Sequence, residues 1–153
     1  MLNALLRWNR RQHAARETEQ GFTLVEILVV ITIIALIMSL VGPRVLNFLG
    51  ESKAKAAKIQ IESLSSALDL YFLDTGRYPS SSEGLNALFQ RPGNTTGWNG
   101  PYVKGNVTPN DPWGKAYLYR SPAQAGPYEI MSYGSDGQEG GAGAAADITN
   151  LSR

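Results

Sequence analysis

A single carboxylate, Glu26, lies five residues into an otherwise apolar run, residues 22–41, directly after the junction Gly21-Phe22. Its chemistry is charge pairing. A charge inside a bilayer-length segment costs on the order of 2.5–3.5 kcal/mol on insertion scales, so something must be supplied to pair with it. The nearest basic side chains belong to the segment before Gly21, which makes a positive group on another molecule the first candidate. Other chemistries are poorly provisioned. The one histidine, His13, precedes the junction, and there are no cysteines. The chain after Gly21 therefore offers no Ser-His-Asp or histidine-metal site, no thiolate metal site and no disulfide framework. No P-loop is present, and Gly141-x-Gly143-x-x-Ala146 echoes a dinucleotide-binding loop without a strand leading into it. Trp98, Trp113, Tyr102 and Tyr117 could stack on sugars or bases, but aromatics in a small domain are more often core or loop anchors. Asn94-Thr95-Thr96 has glycosylation spacing, which means little without a eukaryotic secretory context.

The elements that must position Glu26 follow from length and pattern. Residues 22–41 span about 30 Å as a helix, the thickness of a bilayer core. The first 21 residues carry Arg7, Arg10, Arg11 and Arg16 against Glu17 and Glu19, and the remainder is slightly acidic. That asymmetry predicts a cytoplasmic N-terminal side and a translocated C-terminal part. A secretory signal peptide would have a shorter apolar core and a small-residue cleavage site, which Met38-Ser39-Leu40-Val41-Gly42-Pro43 does not supply. Arg10-Arg11 invites a twin-arginine reading, but ten residues separate the pair from the apolar run. An uncleaved anchor fits the pattern and leaves Glu26 unexplained. The net charge of +1, without a dense basic patch, gives no reason to expect nucleic-acid binding.

Gly42-Pro43 is expected to interrupt the helix, because proline removes a backbone donor. A helix then resumes to about Asp74, with Ala57, Ile61, Leu64, Leu68 and Tyr71 forming one apolar stripe. Lys53, Lys55, Lys58, Gln60, Glu62 and Asp69 are assigned to the opposite, solvated face, with headgroup contact as the rival reading of the lysines. Gly76 suits the left-handed residue that ends many helices. Beyond Tyr78, Ser82 is expected to cap a short helix over residues 83–89. Residues 117–119 and 128–131 read as strands of a hairpin. At 153 residues there is room for one modest domain plus extensions. The economical solution is an α+β fold, a long helix packed on a small antiparallel sheet. The Gly- and Ala-rich final twenty residues look like an irregular loop, a composition that is more often disordered than functional.

These residues carry a resemblance. Gly21-Phe22-Thr23-Leu24-Val25-Glu26 followed by an apolar helix resembles the processing site of the type IV pilin-like superfamily. ALDLYFLDTGRYPSSSEGLNAL (residues 67–88), NDPWGKAYLY (110–119) and YEIMSYGSDGQEGG (128–141) resemble the major pseudopilins of type II secretion, the general secretion pathway protein G family. The resemblance implies a basic leader, residues 1–21, removed by prepilin peptidase after Gly21, with N-methylation of Phe22. It implies a transmembrane and assembly helix over residues 22–42 and a periplasmic head over residues 43–153. Phe22, Glu26 and Pro43 become assembly residues: the Glu26 carboxylate pairs with the Phe22 ammonium of an adjacent subunit, and Pro43 permits local unwinding during extraction from the inner membrane. The implied product is a homo-oligomeric helical filament in the periplasm that helps push folded proteins through an outer-membrane secretin. Its partners are minor pseudopilins and an inner-membrane assembly platform. No enzymatic role is implied, since the energy comes from a separate ATPase. The rivals are a type IV pilus-like subunit for adhesion, motility or DNA uptake, against which the lack of a cysteine staple argues, and an anchored binding module that never polymerises.

The resemblance also implies Ca2+ in the C-terminal loop, held by Asp136, Asp147 and the backbone carbonyl of Tyr133. Calcium takes roughly 6–8 oxygens, so two carboxylates need help from carbonyls and water. Where relatives often carry further acids, this chain has Gly143-Ala144-Ala145-Ala146. Asp136 and Asp147 also stand first and twelfth in a twelve-residue span, but Gln138 and Gly140 at positions three and five make any EF-hand likeness a coincidence.

Overall fold

The computed structural model describes residues 21–93, 95–105 and 107–151. The leader up to residue 20, with His13, and Asn94 of the glycosylation-spaced triplet lie outside the described residues. The chain divides into two units, residues 1–41 and 42–153.

In the first unit, helix α1 (Leu24–Thr75) begins. It is long and apolar enough to cross a membrane. Its leading apolar side chains are exposed throughout, Leu24 at 91% and Leu36 at 72%. Exposed apolar surface on this scale calls for cover by lipid or protein. Its hydroxyls are satisfied internally: Thr32 Oγ1 donates to the Leu28 carbonyl at 2.7 Å, and Ser39 Oγ to that of Leu36 at 2.8 Å. Such back-bonding lets a hydroxyl sit in an apolar helix without leaving a donor unpaired.

The interruption expected at Gly42-Pro43 does not occur, because α1 includes Pro43. Proline removes one hydrogen bond from the ladder, and the remaining bonds carry the helix through.

In the second unit the apolar stripe is buried as its spacing requires. Ala57, Ile61, Leu64, Leu68 and Tyr71 are at most 2% exposed, and Ala67 joins them. Each buried Leu or Ile contributes about 1.5–3 kcal/mol relative to an exposed one. They pack with Leu85, Ala87, Leu88, Phe89, Tyr117, Tyr128 and Ile130 into one core. Gln60 departs from the solvated face, because it is half-buried and accepts the Tyr117 hydroxyl. Gly76, at φ +73°, donates its N–H to the Phe72 carbonyl at 2.8 Å and ends α1 as expected.

The helix anticipated over residues 83–89 is instead a turn followed by a 3-10 segment, Leu85–Leu88. Its organiser is Ser80, not Ser82. Glu83 N–H donates to Ser80 Oγ at 3.3 Å, and Ser80 N–H donates to Glu83 Oε2 at 2.7 Å, a reciprocal capping box. Gly84, at φ +62°, then breaks the path before a full helical turn can form. Glu83 also accepts both terminal nitrogens of Arg77 at 2.7 Å each, and Arg77 reaches the hydroxyl of Thr95 at 3.1 Å. The bidentate guanidinium holds the Glu83 carboxyl down to about 2, against the opposing effect of burial.

Strands β1 (Leu118–Arg120) and β2 (Glu129–Ser132) form the expected antiparallel hairpin, with Tyr119 opposite Ile130. A third strand, β3 (Ile148–Thr149), pairs antiparallel to β2, with Ser132 opposite Ile148, inside the stretch expected to be irregular. Along β2, Ile130 and Ser132 point inward. A buried serine needs a partner, and Ser132 Oγ donates to Asp111 Oδ2 at 2.6 Å.

Candidate assembly terminus and C-terminal loop

The residues singled out around the junction take two distinct positions. Gly21, Phe22 and Thr23 precede the helix, and Phe22 is 76% exposed. Thr23 is the cap of α1: its Oγ1 accepts the Glu26 N–H at 3.2 Å, and its carbonyl accepts the Ile27 N–H at 3.2 Å. Thr23-x-x-Glu26 has capping-box spacing, a local role for these residue types that the charge reading passes over. Only the Thr23 half of the box is formed. The Glu26 side chain is exposed in the first helical turn, and no basic group among the described residues lies within 4.0 Å of it. With Thr32 and Ser39 satisfied, it is the one side chain of residues 22–41 whose polarity has no counterpart within that segment.

The C-terminal loop is built by the β2–β3 ladder. The last ladder pair is Ser132 opposite Ile148, so Tyr133, which follows the one, and Asp147, which precedes the other, leave the sheet at its same end. Between them the chain folds on its own polar groups. Gly137 N–H donates to the Tyr133 carbonyl at 3.1 Å, and Gln138 N–H donates to Asp136 Oδ1 at 3.1 Å. Gly140 N–H donates to Asp147 Oδ2 at 2.9 Å. Asp136 and Asp147 thus each accept a backbone N–H from the same short stretch, residues 138–140. The other oxygen of Asp147, Oδ1, is buried and has no hydrogen-bond partner. A buried carboxylate oxygen left unpaired is costly, and it marks a place for a cation or a water.

Backbone carbonyls crowd the same loop. A methyl built on Gly134 would lie 2.9 Å from the carbonyl oxygens of both Ala144 and Ala146. One built on Gly141 would overlap the oxygen of Ala145. Both glycines have positive φ, +60° and +86°, so two separate constraints exclude a side chain there. On donor chemistry the loop fits a hard cation: an orphaned carboxylate oxygen, a second carboxylate and clustered carbonyls. It is sparse in charge, since no group of three His, Cys, Asp or Glu side chains suited to a metal occurs among the described residues.

Three features escaped the sequence reading. Asp111, buried at 5%, accepts the N–H groups of Trp113 and Lys115 at 3.0 and 2.8 Å and bonds Ser132 with its other oxygen. The Asp-Pro-x-Gly sequence was a visible turn signal, but nothing local pointed to the partner on β2. Gly50, inside α1, is the seat of the loop: a methyl there would lie 2.9 Å from Ala144 Cβ. The third is Lys115, whose side chain lies across Gly137.

Comparisons with known proteins agree with this architecture. Residues 44–151 match the family model described as type II secretion system (T2SS), protein G, and residues 17–42 match the prokaryotic N-terminal methylation motif. The chain is 42% identical over 139 residues to the type II secretion system core protein G of Pseudomonas aeruginosa, covering 88% of this chain and 96% of that one. It is 41% identical over 135 residues to the core protein G of Vibrio cholerae, covering 86% and 91%. Among solved structures it resembles the major pseudopilin from the type 2 secretion system of enterohaemorrhagic Escherichia coli, with a TM-score of 0.54 and 32% identity. That match covers 65% of this chain and 87% of that one. The long helix and the small antiparallel sheet are thus those of a family, and this chain belongs to the type II secretion system protein G family.

Proposed function

We propose that the chain is the major structural subunit of a type II secretion pseudopilus, anchored in the inner membrane by residues 22–42 with its head in the periplasm. The observation that carries this reading is Glu26, an exposed carboxylate with no basic group within 4.0 Å among the described residues, four residues from Phe22 and within a helix whose apolar side chains are exposed. Prepilin peptidase cuts after Gly21 and methylates Phe22. The new ammonium of one subunit pairs with Glu26 of the next, and the apolar helices cover one another. Pairing recovers the cost of the intramembrane charge only when the second subunit is present, so assembly and register are coupled. Pro43 supplies the point at which α1 can loosen as subunits leave the membrane for the filament. The filament works with minor pseudopilins, the inner-membrane platform and the outer-membrane secretin to export folded proteins.

The test separates charge from capping. Gln at residue 26 can still complete a capping box with Thr23, whereas Ala cannot. Glu26→Gln and Glu26→Ala are expected to insert into membranes normally and both to fail to form sedimentable filaments. Filaments from Glu26→Gln at wild-type yield would refute the pairing.

In the head, Ca2+ is held by Asp136, Asp147 and the Tyr133 carbonyl, with water completing the shell. The orphaned Asp147 Oδ1 supports this reading. When bound, the ion supplies a structural cross-link between the ends of the loop. An unfolding midpoint of the full chain in detergent that does not move between EGTA and added Ca2+ would remove it.

A further inference from the structure

A lysine side chain borders the C-terminal loop. Lys115 lies in the turn closed by the Asn110–Ala116 bridge, and its backbone is fixed on both sides. Its N–H donates to Asp111 Oδ1 at 2.8 Å, and its carbonyl accepts the Asp111 N–H at 2.7 Å. From this anchor the side chain runs across to the C-terminal loop. A methyl on Gly137 would meet Lys115 Cε at 2.7 Å and Cδ at 3.0 Å, and would overlap Nζ itself. Gly137 has φ +70° and directly follows Asp136 in the chain, so the glycine gives the ammonium room against the loop backbone. Among the described residues no carboxylate lies within 4.0 Å of Nζ, so no ion pair absorbs its charge. The charged groups of the loop itself are Asp136, Glu139 and Asp147.

We infer that Lys115 is the loop's tethered cation, which offsets the repulsion between its carboxylates when no metal is bound and weakens divalent-cation binding when one is offered. The inference rests on the calcium reading of Asp136 and Asp147. Its physical basis is that a fixed positive charge beside a site repels a dication twice as strongly as a monovalent ion, while it favours clustered carboxylates in the empty loop. The short apolar run Gly143-Ala144-Ala145-Ala146 sharpens the effect, because it adds no further negative charge to outweigh the lysine. Lys115 thereby sets the calcium concentration at which the loop fills and reduces the stability that the head loses without metal.

The experiment is Ca2+ titration by calorimetry on the full-length chain in detergent micelles at low ionic strength, for wild type, Lys115→Met and Lys115→Arg. It is paired with thermal unfolding of each in EGTA. Lys115→Met is expected to bind Ca2+ roughly two- to tenfold more tightly, an advantage that shrinks as salt is raised, and to unfold at a lower temperature than wild type in EGTA. Lys115→Arg, which keeps the charge, is expected to behave as wild type. Binding by Lys115→Met alone, with wild type too weak to detect, supports the inference in its strongest form. Equal Kd for wild type and Lys115→Met overturns the inference and leaves the calcium site standing. Absence of binding in all three overturns the calcium reading and the inference with it.

Discussion

Replacing Glu83 by Gln tests whether the junction between α1 and the rest of the head is held by charge or by shape. The Glu83 carboxylate accepts Arg77 Nη1 and Nη2 at 2.7 Å each, the Ser80 N–H at 2.7 Å and the Ser80 hydroxyl at 3.1 Å. Gln can replace much of this geometry but not its charge. The carboxyl moves from 4.5 to about 2, with the Arg77 hydrogen bonds as the first cause. That interval corresponds to about 3 kcal/mol at most. Arg77 is 45% exposed in its side chain, and solvent screening reduces the expected contribution to about 1–2 kcal/mol. Because the folded-state value is depressed, the unfolded chain binds the proton first. The stabilisation is complete above about pH 4.5 and is lost as the pH falls toward about 2. Thermal unfolding of the full chain in detergent, followed by circular dichroism, should show Glu83→Gln about 3–8 °C below wild type at pH 7. The difference should close between pH 5 and pH 2. Other carboxylates titrate in both proteins and cancel in the comparison. In an Arg77→Met background the Glu83→Gln penalty should fall to a fraction of its original size. A midpoint difference that is zero at pH 7, or the same at pH 2 as at pH 7, would show that the charge contributes nothing.

Two further outcomes follow from close approaches in the head. Gly50→Ala, which at an open helix position would stabilise by about 1 kcal/mol, should be neutral or destabilising because of Ala144 at 2.9 Å; the double variant Gly50→Ala, Ala144→Gly should recover the helix gain in the same melting assay. Ser132→Ala removes the hydroxyl that bonds Asp111 Oδ2 at 2.6 Å and should cost about 1–3 kcal/mol, read as a lower denaturant midpoint with an unchanged slope.

What could be read from the chain alone was whatever is encoded within one element. The stripe from Ala57 to Tyr71 repeats at three and four residues, and burial followed that period residue for residue. The hairpin was displaced by one residue at most, because turn formers from Ser121 to Pro127 separate two short runs rich in Tyr, Leu and Ile. Strand β3 was missed because two residues cannot show a period, and its existence depends on β2 lying beside it. The three serines 80–82 are equivalent as cap residues by type; only the reach of Glu83 back to residue 80 distinguishes them. Gln60, Asp111 and Lys115 were misread or passed over for one shared reason: each takes its partner from a part of the chain far away in sequence. Of the loop residues, Tyr133 and Asp147 adjoin the last β2–β3 pair, a juxtaposition that no local spacing encodes.

Glu26 shows how a local role and an assembly role can share one residue. Thr23 caps α1 through the Glu26 N–H, which places the carboxylate in the first turn, where the helix dipole presents partial positive charge. In the processed subunit proposed above, the Phe22 ammonium precedes that same cap, so an added positive charge sits at the positive end of the helix. Both effects favour an anion nearby, and Glu26 supplies one. Within a single chain these contributions are worth about 0.3–1 kcal/mol at an exposed helix end. That is below the roughly 2.5–3.5 kcal/mol cost of a charge at the centre of a membrane span, the upper limit for a residue in the first turn. Local capping therefore accounts for an acidic residue near the start of α1 but not for a fully unpaired one in an apolar helix. The deficit is what a neighbouring subunit's ammonium would close. Glu26→Gln isolates that quantity, because it keeps the residue able to cap and removes only the charge.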